Sequence, residues 1–174
     1  MLIETRRLLI RDLKTEDVIP FAEMAADGSL KDVDFDKACS SWLKNWVNEA
    51  KEFAIRDNPC MDYLAYTITL KGTNTVIGAV GCSYYEDLKE TGITYFIGAQ
   101  YRNNGYAAEA AKAYIKYFFN HYITVQKMIA TVREENIASW KVIEKAGFRL
   151  TEKRMYQDIN DAGEEFYHFY EIAR

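Results

Sequence analysis

The chain has 174 residues, 49% of them hydrophobic and 28% charged, with a formal net charge of −4. That balance fits one soluble domain, residues 1–174, with a real core; no lysine- or arginine-rich run is present, which argues against a nucleic-acid partner. Three cysteines (Cys39, Cys60, Cys82) and two histidines (His121, His168) show no metal-ligand spacing, and no stretch approaches the ~20 apolar residues of a membrane span, so a cytoplasmic protein with reduced thiols, no metal and no membrane contact is expected.

Taken in order, Leu2 to Leu13 reads as one edge strand with Leu8 and Ile10 on a common face. Thr15 is a candidate N-cap, and Val18, Ala22, Ala25 and Ala26 form a helical stripe that Asp27-Gly28 ends. Pro20 fits this helix only near its start. Ser29 to Lys37 is irregular, and Ala38 to Arg56 is a second helix with Trp42, Trp46, Ala50 and Phe53 on one face. The tryptophans read as core rather than as ligand contacts. Tyr63 to Leu70 and Val76 to Tyr84 form a hairpin about the Lys71-Gly72-Thr73-Asn74 turn, and Thr91 to Ile97 is the next strand. Tyr106 opens a long helix that ends at His121, where a cation is favoured and a capping or surface role is expected. Val125 to Val132, a helix from Asn136 to Ala146, and strands Phe148 to Tyr156 and Glu165 to Ile172 complete the chain, with His168 structural. This order predicts an α+β (mixed α/β) fold with helices packed on one sheet.

The chemistry is expected where the strand ending at Ile97 meets the Tyr106 helix, through the loop QYRNNGYAAEAA of residues 100–111. Backbone N–H groups and a helix dipole converge at such a junction, and phosphates settle there. Gly105 lets a ligand approach the backbone, Ala107 and Ala108 keep the first turn free of bulk, and Arg102 is a cation at the mouth. The loop lacks the Lys-Ser/Thr end of a P-loop and the first glycines of a dinucleotide fingerprint. A second segment, Asn136-x-x-Ser139-x-x-Val142-x-x-Lys145-x-Gly147-Phe148, reads by itself as a capped helix start.

Together, in this order and at this distance, the two segments resemble the GNAT superfamily of N-acetyltransferases. Glu4-Thr5-x-Arg7-Leu8-x-Ile10-Arg11 with Asp17, the hairpin YTITLKGTNTVIG from Tyr66 to Gly78, and Tyr95-Phe96-Ile97-Gly98 with Tyr101-Arg102 are similar to the branch that acetylates ribosomal-protein N-termini. The resemblance covers nearly the whole chain. It implies a GNAT fold: a mostly antiparallel sheet of six to seven strands, splayed in the middle and flanked by about four helices. It implies acetyl-CoA as cosubstrate and an amine-bearing acceptor, a protein N-terminus or a small molecule, in a possible homodimer. Backbone groups of Tyr95, Phe96 and Ile97 would run beside the pantetheine. Amides over Arg102, Asn103, Asn104, Gly105, Tyr106 and Ala107 would hold the pyrophosphate, and Asn136 would meet the pantetheine where the strands part.

Ser139 would protonate the leaving thiolate, or else serve only its own helix. The tyrosine acid that many members carry four residues further on is Ile143 here, and the glutamate base of the ribosomal branch is replaced by Gly92. Glu90 is a candidate base, acting through water, or is a solvated loop charge; the general base is otherwise unassigned, a water chain being the alternative route for the amine proton. Tyr84 and Tyr85 line an acceptor pocket for a cation or pack in the sheet. A non-catalytic acyl-CoA-binding module and a nucleotide-binding protein are the competing readings.

Overall fold

Thr5 turns the chain back almost at once in the computed structural model, which describes residues 1–33, 35, 37–158 and 161–174. Its hydroxyl accepts the Arg7 and Leu8 amides, and its own amide donates to the Leu8 carbonyl. The single strand expected over 2–13 is therefore two, β1 (Leu2–Glu4) and β2 (Leu8–Asp12). Helices α1 (Val18–Ala25) and α2 (Leu43–Arg56) follow. Thr15 is not the cap of α1: it opens a short 3-10 turn, Thr15–Asp17, and Pro20 falls in the first turn of the helix proper, where no amide is needed. The second helix starts later than expected because Lys37–Ser41 is a 3-10 stretch. Within the irregular segment, Lys31–Val33 is a 3-10 turn and Leu30 bridges Phe35; positions 34 and 36 lie outside the described residues.

The rest follows the expected order: β3 (Leu64–Leu70), β4 (Val76–Tyr85), β5 (Glu90–Ile97), α3 (Tyr106–His121), β6 (Lys127–Arg133), α4 (Ile137–Ala146), β7 (Arg149–Tyr156) and β8 (Glu165–Ala173). The strands form one sheet of order β1-β2-β3-β4-β5-β6-β8-β7, eight strands rather than six or seven because of the Thr5 turn. Every neighbouring pair is antiparallel except β5 and β6. Those two run parallel and share one register pair, Gly92 with Ile129, beyond which they part.

Helices cover both faces. On one side α3 and α4 pack on Ile68, Val80, Cys82, Ile93, Ile97 and Met128. On the other, α1 and α2 pack on Ala65, Ala79 and Phe96. β3 is consequently buried along both faces. Trp42 and Trp46 lie in this second core, with ring centroids 5.3 and 5.2 Å from Phe35 in edge-on geometry.

One buried carboxylate ties α1 to the sheet. Asp17, 2% exposed, takes both arms of Arg11 at 2.7 Å, the Thr67 hydroxyl at 2.7 Å and the Lys14 amide at 2.8 Å. Burial opposes its ionisation, but Arg11, Thr67 and Lys14 outweigh burial and hold the carboxyl below its ordinary range. Asp17→Ala is expected to cost about 3–5 kcal/mol in urea unfolding, because it leaves a mostly buried guanidinium without its carboxylate, with only the Asp12 carbonyl still bonded to it. The lowered folded pKa also sets the sign of the pH dependence. The contribution is complete above the unfolded carboxylate pKa of about 3.9 and is lost as pH falls through the folded value. The gap between wild type and variant should narrow below about pH 4.

Candidate functional site

The parting of β5 and β6 opens a cleft of about 790 Å³. Of the residues expected to hold a cofactor, Tyr95, Phe96, Ile97, Arg102, Asn103, Gly105, Tyr106, Ala107, Asn136 and Ser139 all line it. Asn104 does not: its side-chain amide folds back to the carbonyls of Tyr101 and Arg102 at 3.2 and 2.9 Å and braces the loop. Ser29, Leu30 and Val33, from the segment after α1, form part of the wall.

The loop is built to leave amides unpaired. Asn103 (φ +62°) and Gly105 (φ +75°) take left-handed conformations, and Gly105 is the residue before α3. Among the described residues, no protein acceptor takes the amides of Asn103 to Ala108. The Arg102 amide is different: it donates to Ala99 O at 3.2 Å within a 3-10 turn, so the expected amide cluster begins one residue later. Successive N–H groups in this geometry form an anion-binding concavity, strengthened by the dipole of the 16-residue α3. The Arg102 side chain is a strap as well as a charge. Its Nε reaches Ile97 O at 3.1 Å and a terminal nitrogen reaches Ser29 O at 2.8 Å. Lys141 and Lys145, one turn apart on α4, add cations to the cleft; sequence reasoning gave Lys145 no role within the second motif and missed Lys141, although their i,i+4 spacing places them on one helix face.

Arg7 holds the loop from behind. Its Nε pairs with Glu109 at 2.7 Å, another of its nitrogens donates to Asn104 O at 2.8 Å, and its guanidinium sits 4.6 Å from the Tyr106 ring centre. The Thr5 hydroxyl and the Arg7 amide also bond Glu109, at 2.6 and 2.9 Å. These contacts keep Glu109 ionised below its ordinary range against the opposing effect of burial, and they neutralise a carboxylate in the first turn of α3.

Across the gap, the Asn136 side chain accepts the Ser139 amide at 3.1 Å and caps α4. Ser139 Oγ lies 2.8 Å from the Tyr95 hydroxyl, which also reaches Ser139 O at 3.1 Å. The Tyr95 hydroxyl was not foreseen. Strand alternation with Ile93 and Ile97 could have found it, since those residues face α3 and α4. Burial pushes Tyr95 up to about 12, with the Ser139 bond opposing, so the pair is neutral near pH 7. Ile143 is buried in the core.

Glu90 is not brought to this cleft. It begins β5, at the far end from the loop, and its carboxylate binds Lys127 Nζ at 2.8 Å. Both histidines are engaged in pairs away from the cleft: His121 meets Asp57 at 2.6 Å at the end of α2, and the buried His168 lies 3.3 Å from Glu134 and 3.4 Å from the Tyr170 hydroxyl.

Residues 7–149 match the acetyltransferase (GNAT) domain family. The chain is 29% identical over 171 residues to the uncharacterized N-acetyltransferase YnaD of Bacillus subtilis, covering 97% of this chain and 95% of that protein. A GNAT-family acetyltransferase structure from Bacillus anthracis superposes with a TM-score of 0.80 at 25% identity over 99% of this chain and 98% of that one. RimL, a ribosomal L7/L12 α-N-protein acetyltransferase solved with coenzyme A, shares the fold with a TM-score of 0.81 at 13% identity, over 99% and 98% of the two chains. The chain belongs to the GNAT acetyltransferase family and is an acyltransferase.

Proposed function

We propose that the enzyme transfers an acetyl group from acetyl-CoA to a primary amine, by direct attack in a ternary complex. The observation that carries this reading is the continuity of the cleft. Unpaired amides and cations at the α3 end suit a diphosphate, and the same cleft runs to a pair of neutral hydroxyls at Ser139 and Tyr95. The coenzyme A bound by RimL, which shares the fold, supports the choice of ligand. Arg102, Lys141 and Lys145 place positive charge at the cleft of a protein whose net charge is −4.

The pantetheine would lie along Tyr95, Phe96 and Ile97, as an added strand in the gap. A backbone N–H freed where β5 leaves β6 would stabilise the tetrahedral oxyanion. The single Tyr95 proton is shared between the Ser139 carbonyl and Oγ, and when it lies on Oγ, the nearer of the two, the serine proton turns outward, toward the departing sulfur. Ser139 is then the donor and Tyr95 its orienting partner. The acceptor is a protein N-terminus or a small-molecule amine, and holding it beside the thioester supplies much of the rate.

Acetyl-CoA should raise the melting temperature by mass action, whereas ATP or NAD alone should not. Arg7→Ala, which frees Asn104 and leaves Glu109 uncompensated, should weaken acetyl-CoA binding about tenfold in calorimetry, or about 1.4 kcal/mol. Ser139→Ala should lower kcat for thiol release by roughly 10- to 100-fold, with acetyl-CoA affinity nearly unchanged. Tyr95→Phe should lose less, and the double variant should be no slower than Ser139→Ala, because the two hydroxyls act as one unit. Additive losses would contradict the assigned roles.

A further inference from the structure

We propose that Tyr85, Thr131 and Asp158 form the route by which the acceptor ammonium loses its proton, with Asp158 as the final acceptor. This rests on the acetyl-transfer reading and adds to it the base that Glu90 does not supply. The three residues lie on the sheet face opposite Ser139. Tyr85 shares the alternation of Ala79 on β4, toward the α1 and α2 side, while Tyr95 points to the α3 and α4 side. The Tyr85 ring covers Gly92: a Cβ there would come within 2.5 Å of its edge. Gly92 is the β5 member of the last pair before the strands part.

From there the ring reaches β6. Thr131, on the same face as Ile129 and one pleat beyond it, has its Oγ1 3.5 Å from the Tyr85 hydroxyl and 3.3 Å from Asp158 Oδ2. The chemistry of the groups orders the protons. Thr131 Oγ1 is placed to donate to both the Tyr85 hydroxyl and Asp158 Oδ2, with one proton between them. Asp158 can only accept, so the relay runs with that proton turned to Asp158 and the phenol rotated to donate to Thr131, which leaves a Tyr85 lone pair for an incoming N–H. Both contacts are longer than ordinary O–H···O bonds, and the relay requires substrate binding to tighten them.

The groups facing Tyr85 favour a cation and a neutral phenol. They are Asp87 from the turn after β4, Asp158 after β7, Tyr156 on β7 and Thr131 on β6. Burial, with Asp158 and Asp87 adding to it, pushes Tyr85 up to about 12, so it relays a proton and does not keep a charge. Asp158 is itself positioned by Asp161, whose carboxylate accepts the Asp158 amide at 3.0 Å and is held by Arg133 and by the Tyr167 hydroxyl at 2.7 Å.

The step balances. One ammonium proton passes to Tyr85 Oη as the Tyr85 proton moves to Thr131 and the Thr131 proton moves to Asp158. The freed nitrogen lone pair forms the C–N bond and leaves that nitrogen with a second proton to lose. On collapse the C–S bond breaks, Ser139 protonates the thiolate, the second nitrogen proton passes through water to restore the Ser139 hydroxyl, and Asp158 returns its own proton to water between turnovers. Taking the amine proton on one face and serving the thiolate on the other keeps the two transfers from cancelling.

The test uses the full chain with acetyl-CoA, spermidine and short peptides beginning in alanine or serine, followed by thiol release from pH 7 to 10. Tyr85→Phe and Asp158→Asn should lower kcat/KM at pH 7 by roughly 100-fold with acetyl-CoA affinity unchanged. The deficit should shrink toward pH 10, where water deprotonates the amine. Gly92→Ala, which pushes the ring aside, should show the same pH-dependent loss. A wild-type rate in Tyr85→Phe at pH 7, or a deficit of equal size at pH 7 and pH 10, overturns the relay. If that occurs while Ser139→Ala is slow, the acetyl-transfer reading stands and only the relay falls. If the wild type binds acetyl-CoA yet releases no thiol with any acceptor, both fall.

Discussion

Everything about the cleft depends on a sheet being allowed to come apart in its middle. β5 and β6 keep one register pair, Gly92 with Ile129, and then diverge. Interior strands ordinarily bond along their length, because an unpaired buried amide or carbonyl is costly. Here each strand is held from its outer side. β5 pairs with β4 through eight residues, and β6 pairs with β8 through seven. Each strand is followed by a helix, α3 or α4, packed on the same face. The gap can therefore persist without loosening the sheet, and its edges present backbone groups to a ligand that can pair like a strand.

The N-terminal hairpin does for the loop what the outer strands do for the gap. A loop with six amides lacking protein acceptors among the described residues has little of its own to fix its shape. Arg7 supplies the missing constraint from the far end of the sequence, through Glu109, Asn104 and the Tyr106 ring. Arg11 does the same for α1 through Asp17. The Thr5-x-Arg7 and Arg11 spacing singled out in the sequence thus has a mechanical reason. The two arginines stand on a short antiparallel turn and reach toward opposite layers, one into the α3 helix start and one into the α1 approach.

The two faces of the gap differ in chemistry. The α3 and α4 side offers neutral hydroxyls, with burial raising Tyr95. The α1 and α2 side gathers Asp87, Asp158 and Asp161 around tyrosines, with Arg133 bound to Asp161. A thioester entering from the α3 end and a cation approaching from the acidic side would each meet the polarity it requires.

Much of this was legible in the chain itself. Period-2 and period-3.6 patterning placed the strands and helices, and loop 100–111 could be read as a strand-to-helix junction with free amides, because a strand, a glycine and a small-residue helix start form one regardless of what surrounds them. Asn136 was readable as a cap for the same local reason. The Thr5 turn was hidden, since a hydroxyl bonding its own backbone leaves no trace in hydrophobic period. So were the pairing of Tyr95 with Ser139, the diversion of Glu90 to Lys127 and the reach of Tyr85 across Gly92. Each of those joins residues 37 to 46 positions apart or turns on which strands lie side by side. Local preference fixed where the α3 end of the cleft lies; only the strand order 4-5-6-8-7 decided which side chains meet at its other end, because that order sets neighbours that no stretch of sequence contains.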